Sequence, residues 1–201
     1  MSLGLEVAFA DGHVRFPVGH LSRIGGTVDG TLPASAIREA DPDAAPPEIR
    51  TRSGETLFVA AAQREELARF CQASQIPIRK RPDIWGDLLE PFVDTHPAPG
   101  HEAVTRARLH QAGLTDTEID QIRARVGPLM LAYNAVHWDW YHLGLADLLD
   151  AITTDSLPES PATRLRQIRA DLGDTARFYA WAMRIANSPG PHPAAENRRS
   201  P

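Results

Sequence analysis

The chain has 201 residues and 21 basic side chains, of which 20 are Arg and one, Lys80, is Lys; a single Cys and a net charge of −5 complete the balance. A phosphate-binding loop needs glycines and then Lys followed by Ser or Thr, whereas Lys80 sits in Arg79-Lys80-Arg81, so that motif is excluded, and any Schiff-base chemistry would rest on Lys80 alone. One Cys makes neither an intrachain disulfide nor a zinc site with two thiolates.

In chain order, Leu5 to Phe9 and His13 to Val18 alternate apolar with other side chains around Ala10-Asp11-Gly12, which predicts a hairpin. Gly19 to Pro47 is rich in Gly and Pro and reads as surface loop, with one short helix at Ala34 to Ala40. A second hairpin is predicted from Glu48 to Arg52 and Glu55 to Val59, reversing at Ser53-Gly54. From Ala61 the apolar spacing turns helical, with Leu67, Phe70 and Cys71 on one side, so Cys71 reads as a small core residue. Ile76-Pro77-Ile78 reads as a short strand.

Beyond it nearly everything is helical. Pro82 fits a first turn, Asp83 to Leu89 continues it, and Glu90-Pro91 kinks or restarts it. A helix from Pro99 or Gly100 to Ala112 ends at Gly113, Thr115 caps the next, and Gly127-Pro128 closes that one and opens another. Leu129 to Ile152 is long, with a break expected near His137. Helices from Ser160-Pro161 to Leu172 and from Asp174 to Asn187 follow. The Pro-rich residues 188–201 carry no periodic apolar pattern and read as a disordered tail.

Three groups of residues bear on function. Asp83, Asp87, Glu90 and Asp94 are spaced by four, three and four, which puts four carboxylates on one helical face beside Trp85. That face is either solvated or turned to cations: a basic partner, or a hard cation held by Glu90 and Asp94. The second group, Tyr133 to His142, is dense in aromatics and histidines. Tyr133, His137, Trp140, Gly144 and Asp147 share one stripe of a continuous helix, which reads as aromatic core or as a notch walled by indole. His137 and His142 lie five residues apart, about 140° around a helix of 3.6 residues per turn, so they do not share a metal, and no HExxH occurs. Asp139 or Asp147 is placed to orient a histidine as general base. The third group is basic: Arg164, Arg166 and Arg169, then Arg177, Trp181 and Arg184, whose spacing suits guanidinium stacked on indole.

No GxSxG or GxGxxG occurs. No run reaches the roughly 18 apolar residues of a membrane helix, and Met1 to Ala10 carries Glu6 and no basic segment, so no secretory signal is expected. The chain therefore reads as cytoplasmic, and its Arg preference, with abundant Ala and Pro, points to a GC-rich bacterial source. The expected fold is α+β: a small β-hairpin-rich N-terminal part over residues 1–80, ending in one amphipathic helix, then a C-terminal helical bundle over 81–187. The leading expectation for function is a non-catalytic interaction or regulatory protein presenting an acidic, aromatic-bearing helical surface to a protein partner or a second copy. Its binding residues would be Asp83, Trp85, Glu90, Asp94, Tyr133, His137, Trp140 and His142. The alternative is a small enzyme or ligand-binding protein with a His/Trp/Tyr pocket around Tyr133, His137, Trp140 and His142, helped by Glu90 or Asp94. A pocket would gather polar groups from distant segments into a concavity, while an interaction surface would spread them over a convex face. No metal, cofactor, nucleic acid or membrane is called for. Charge is uneven: residues 1–80 hold 9 basic and 10 acidic groups, 81–157 hold 5 and 12, and 158–201 hold 7 and 4. The last helices are therefore expected to lie against the acidic middle, within one molecule or between two.

Overall fold

The computed structural model describes residues 4–17, 30–93, 100–137, 142–153 and 172–188, apart from the side chains of 136 and 137. Its N-terminal part holds two small antiparallel sheets. The first pairs β1 (Ala8–Ala10), β2 (His13–Arg15) and β3 (Thr31–Pro33) in that order. Its hairpin reverses at Gly12, whose φ of +73° is left-handed backbone that glycine adopts without a Cβ clash. The second sheet pairs β4 (Ile37–Asp41), β5 (Glu48–Thr51) and β6 (Thr56–Phe58), and Gly54 at φ +95° turns the β5–β6 hairpin.

The helix expected at Ala34 to Ala40 is not formed. One 3-10 turn at Ala34–Ala36 leads straight into β4. The stretch contains good helix formers, but their preferences amount to a few tenths of a kcal/mol per residue. Pairing with β5 from Ile37↔Thr51 to Asp41↔Glu48 puts Ile37 and Ala40 in the core, and that outweighs propensity. Single bridges flank the second sheet on both sides. Leu5 N–H donates to Phe58 O at 3.2 Å and Leu5 O accepts from Ala60 N–H, while Arg79 N–H donates to Ala40 O at 2.9 Å beside Ile78. Both sheets and α1 (Arg64–Ala73) close over one core that includes Val14, Ile49, Leu67 and Cys71. Cys71 is fully buried, and burial pushes its thiol up to about 11.

The helical part begins with α2 (Ile84–Leu89) and a 3-10 turn at Glu90–Phe92, as Pro91 dictates. It continues with α3 (His101–Gln111), α4 (Asp116–His137), α5 (Leu145–Thr153) and α6 (Thr175–Ala186). Thr115 and Glu118 form a reciprocal cap at the start of α4: Thr115 N–H donates to Glu118 Oε2 at 2.8 Å, and Glu118 N–H donates to Thr115 Oγ1 at 3.3 Å. Contrary to the expectation from Gly127-Pro128, α4 runs unbroken through both residues. Val126, Leu129 and Met130 are fully buried and hold the helix across the one backbone donor that Pro128 lacks. Gly127 serves a close approach, since a Cβ there would stand 3.0 Å from the Phe92 ring.

A break between α4 and α5 is present, because residues 142–144 are not helical. A continuous stripe from Tyr133 through Gly144 to Asp147 therefore does not form. The residues 160–171 and 189–201, with their expected helix and tail, lie outside the described residues.

Helix α6 packs on α2 and α5, in the direction the charge pattern suggested, but through apolar groups: Phe178, Ala182 and Met183 sit in the helical core with Trp85 and Leu148. The two halves meet where Phe58 packs against that core, Thr56 N–H donates to Tyr179 Oη at 3.2 Å, and Arg81 reaches α6. Among the described residues no helix is long and apolar enough to cross a membrane.

Candidate functional site

Three segments far apart in sequence converge on a cleft of about 310 Å³ at this junction. The β4–β5 turn, from Asp41 to Pro46, forms one wall. The extended link from the β part to α2 forms a second, because Arg79 is tied to β4 and so carries Lys80, Arg81 and Asp83 past that turn. Residues 142–146, which lead into α5, form the third, with Phe58 between them.

The floor is a buried chain of charges. Arg50, only 2% exposed, donates from Nε to Glu39 Oε1 at 2.9 Å and from Nη1 to Glu48. Glu48, 5% exposed, also accepts from Arg81 Nη2 at 2.6 Å. Arg81 in turn donates to Asn187 Oδ1 at 3.2 Å and to Ala186 O at 3.4 Å. Four charges that would be costly to bury singly are thus paired, and they strap the second sheet to the end of α6. Alternation along β5 puts Glu48 and Arg50 on one face, but nothing in the sequence marks that face as internal.

Above the floor, Asp83 and His142 form a pair. Asp83 caps α2, accepting from Gly86 N–H at 2.9 Å, and its Oδ2 lies 3.2 Å from His142 Nε2. Burial pushes the Asp83 carboxyl up, but His142, the Gly86 N–H and the Arg81 guanidinium outweigh it and hold it below the ordinary aspartate range. Two glycines make room for the imidazole. A Cβ on Gly86 would stand 2.3 Å from Asp83 Oδ2 and 2.8 Å from His142 Cε1, and one on Gly144 would stand 3.1 Å from His142 Nε2. Gly144 N–H donates to Asp147 Oδ2 at 2.7 Å, which fixes the first turn of α5 against the cleft.

The carboxylates of the cleft all have partners. Glu48 has Arg50 and Arg81, Asp83 has His142, Asp41 accepts from Asp43 N–H at 3.1 Å, and Asp43 lies 3.8 Å from Arg64. Lys80, the sole lysine of the chain, lines the cleft and makes no ion pair among the described residues.

Of the residues singled out from sequence, Asp83 and His142 are brought together here. The others go elsewhere. Trp85 is 1% exposed, donates from Nε1 to Ala182 O at 3.0 Å and meets Trp181 edge-on, so it is core and not surface. Tyr133 is 2% exposed and donates to Asp150 Oδ2 at 2.9 Å. Glu90 is taken by α3, accepting from His101 and, at 2.6 Å, from Thr105 Oγ1. Asp87 accepts from Arg108 Nε at 3.0 Å on both oxygens. Asp94, Asp139, Trp140, Arg164, Arg166, Arg169 and the side chain of His137 lie outside the described residues. Among the described residues no three His, Cys, Asp or Glu side chains are grouped to hold a metal ion. Nothing in the sequence marked Asp41, Asp43 or Phe58 as site residues, and Lys80 stood out only as the single exception among the basic side chains. Compared with family models, curated proteins and solved structures, the chain matches none.

Proposed function

We propose that the protein binds a small anionic molecule in the cleft between its β-rich and helical parts, without covalent chemistry. The observation that carries this reading is the convergence of charged groups from three distant segments on one concavity whose carboxylates are all partnered and whose lysine is not. An added carboxylate or phosphate would complete Lys80 and lie beside His142. It would also face the first turn of α5, where backbone N–H groups and the helix dipole favour negative charge. Phe58, Pro46, Leu145 and Ala146 offer apolar wall to the body of such a ligand, and the volume suits a small metabolite. The acidic, aromatic-bearing surface finds less support, because Trp85 and Tyr133 are buried and Asp87 and Glu90 are paired within the chain.

The test is a titration of isotope-labelled protein with succinate, with a phosphate monoester and with a neutral amide of the same size, followed by backbone amide shifts. Saturable shifts at Lys80, Asp83, His142, Leu145 and Ala146 with the anions, lost in Lys80→Ala, are expected. Anions that move no amide of the cleft at millimolar concentration, or that move them equally in Lys80→Ala, reject the reading.

A further inference from the structure

A second concavity, of about 450 Å³, lies between α4 and α6. The two helices present matching stripes to it. On α4 these are Glu118, Gln121, Ile122 and Arg125, and on α6 they are Trp181, Arg184 and Ile185, continued by Ser188. Both follow i, i+3, i+4, i+7, so the groove runs for about two helical turns, roughly 10 Å at 1.5 Å per residue. Ile122 and Ile185, each 8% exposed, form its apolar floor.

Its rim is positively charged in a way the rest of the helical part is not. Among the described residues of that part, Arg81, Arg106, Arg108 and Arg123 all have carboxylate partners. Arg125, Arg177 and Arg184 have none and all three are exposed, and Arg125 and Arg184 line this groove. Arg125 is also held in place. Its guanidinium lies 4.3 Å from the centre of the Trp181 ring and 5.8 Å from that of Phe178. Stacking holds the guanidinium over the rings without using its N–H donors. The spacing of Arg177, Trp181 and Arg184 suggested stacking within α6; the stacked cation comes from α4 instead. Glu118, the one carboxylate of the groove, is occupied by Thr115 N–H and Oγ1, both at 2.8 Å.

We propose that the groove between α4 and α6 docks an amphipathic helix of a partner protein, with apolar side chains on the floor and flanking carboxylates on Arg125 and Arg184. A groove between two helices, open along two turns, fits a third helix, and such partners are anchored at the same i, i+3, i+4, i+7 spacing. Unpaired guanidinium groups select carboxylates, for which their planar fork is suited. The net charge of −5 on the whole chain works against nucleic acid as the occupant.

The test uses the full-length protein and a fluorescent helical peptide of about 15 residues, long enough to form a helix. It carries Leu at i, i+3, i+4 and i+7 and Glu on the flanks. A second peptide replaces every Glu with Lys, and a third probe is a single-stranded oligonucleotide. Saturable anisotropy with the Glu peptide is expected, weakened at least tenfold by Arg125→Glu with Arg184→Glu and weakened by salt, with no binding of the Lys peptide. Both arginines are exposed, so the double variant should keep its circular dichroism; Arg184→Gln gives a milder check, with a smaller loss. Absence of saturable binding to the wild-type chain overturns the proposal, as does equal affinity of the double variant, equal affinity for the Lys peptide, or binding of the oligonucleotide in place of the Glu peptide. Because Lys80→Ala leaves this groove untouched, its affinity for the Glu peptide should equal that of the wild type, which separates this groove from the cleft.

Discussion

Thr56 Oγ1 is buried in β6 with no hydrogen-bond partner among the described residues, directly beside the backbone N–H that Tyr179 accepts. A buried polar atom without a partner carries its full desolvation cost. Thr56→Val keeps the branched shape and removes the orphan oxygen, so it is expected to stabilise the protein by about 1 kcal/mol, readable as a higher urea midpoint with an unchanged slope. A lower midpoint would show that the hydroxyl has a partner after all. Asp83 gives the pH-dependent counterpart. Its carboxyl is held below the ordinary range, so its contribution is present above the unfolded aspartate value of about 3.9 and is lost as pH falls through the lower folded value. Asp83→Asn keeps an acceptor for the α2 cap and deletes the charge. Wild type should exceed this variant in stability at pH 7, with the gap closing below about pH 4. A gap that is the same at pH 3 and pH 7 would remove the charge from the account.

At the scale of elements, Gly86 sits in the middle of α2, where alanine would normally gain about 1 kcal/mol. Here a Cβ would strike Asp83 and His142, so Gly86→Ala should rotate Asp83 off its cap, which costs about the same. The expected result is little change in melting temperature together with a large shift of the His142 ring resonances; an unmoved ring would contradict the packing. The turns and caps of this fold were legible because they are local. Asp11-Gly12, Ser53-Gly54, Thr115 and Pro91 each declare themselves within a few residues. β4 was not legible, since Ile37 to Asp41 becomes a strand only through β5. Nor was the continuity of α4, because what sustains it across Pro128 is packing from α2 and α5. The site was half legible: Asp83 and His142 stood out, but which carboxylate faces the imidazole depends on the break between α4 and α5, and the continuous-helix reading assigned Asp139 or Asp147.

For the whole molecule, the charge pattern called for an electrostatic contact between the last helices and the middle of the chain, and α6 does lie there but not through charge. Apolar burial and the Trp85 hydrogen bond make the contact, which leaves the arginines of α6 facing outward. The two cores are joined through Phe58, the Thr56–Tyr179 hydrogen bond and the Glu48–Arg81 strap. Calorimetry should therefore give one transition with matching calorimetric and van't Hoff enthalpies, and Arg81→Ala should lower and broaden it by loosening one half from the other. Two resolved transitions in the wild type would mean that the junction is too weak to couple them.

The single bridges at Leu5 and Ile78 bear on how the chain avoids association with itself. An uncovered outer strand offers a row of unpaired backbone groups to any other extended chain. Here Leu5 covers the outer side of β6 and the stretch around Ile78 covers the outer side of β4. Shortening the N-terminus past Leu5 would thus take one partly buried side chain from the nearby core while opening a template for edge-to-edge aggregation, so a single bridge shields the edge of a whole sheet.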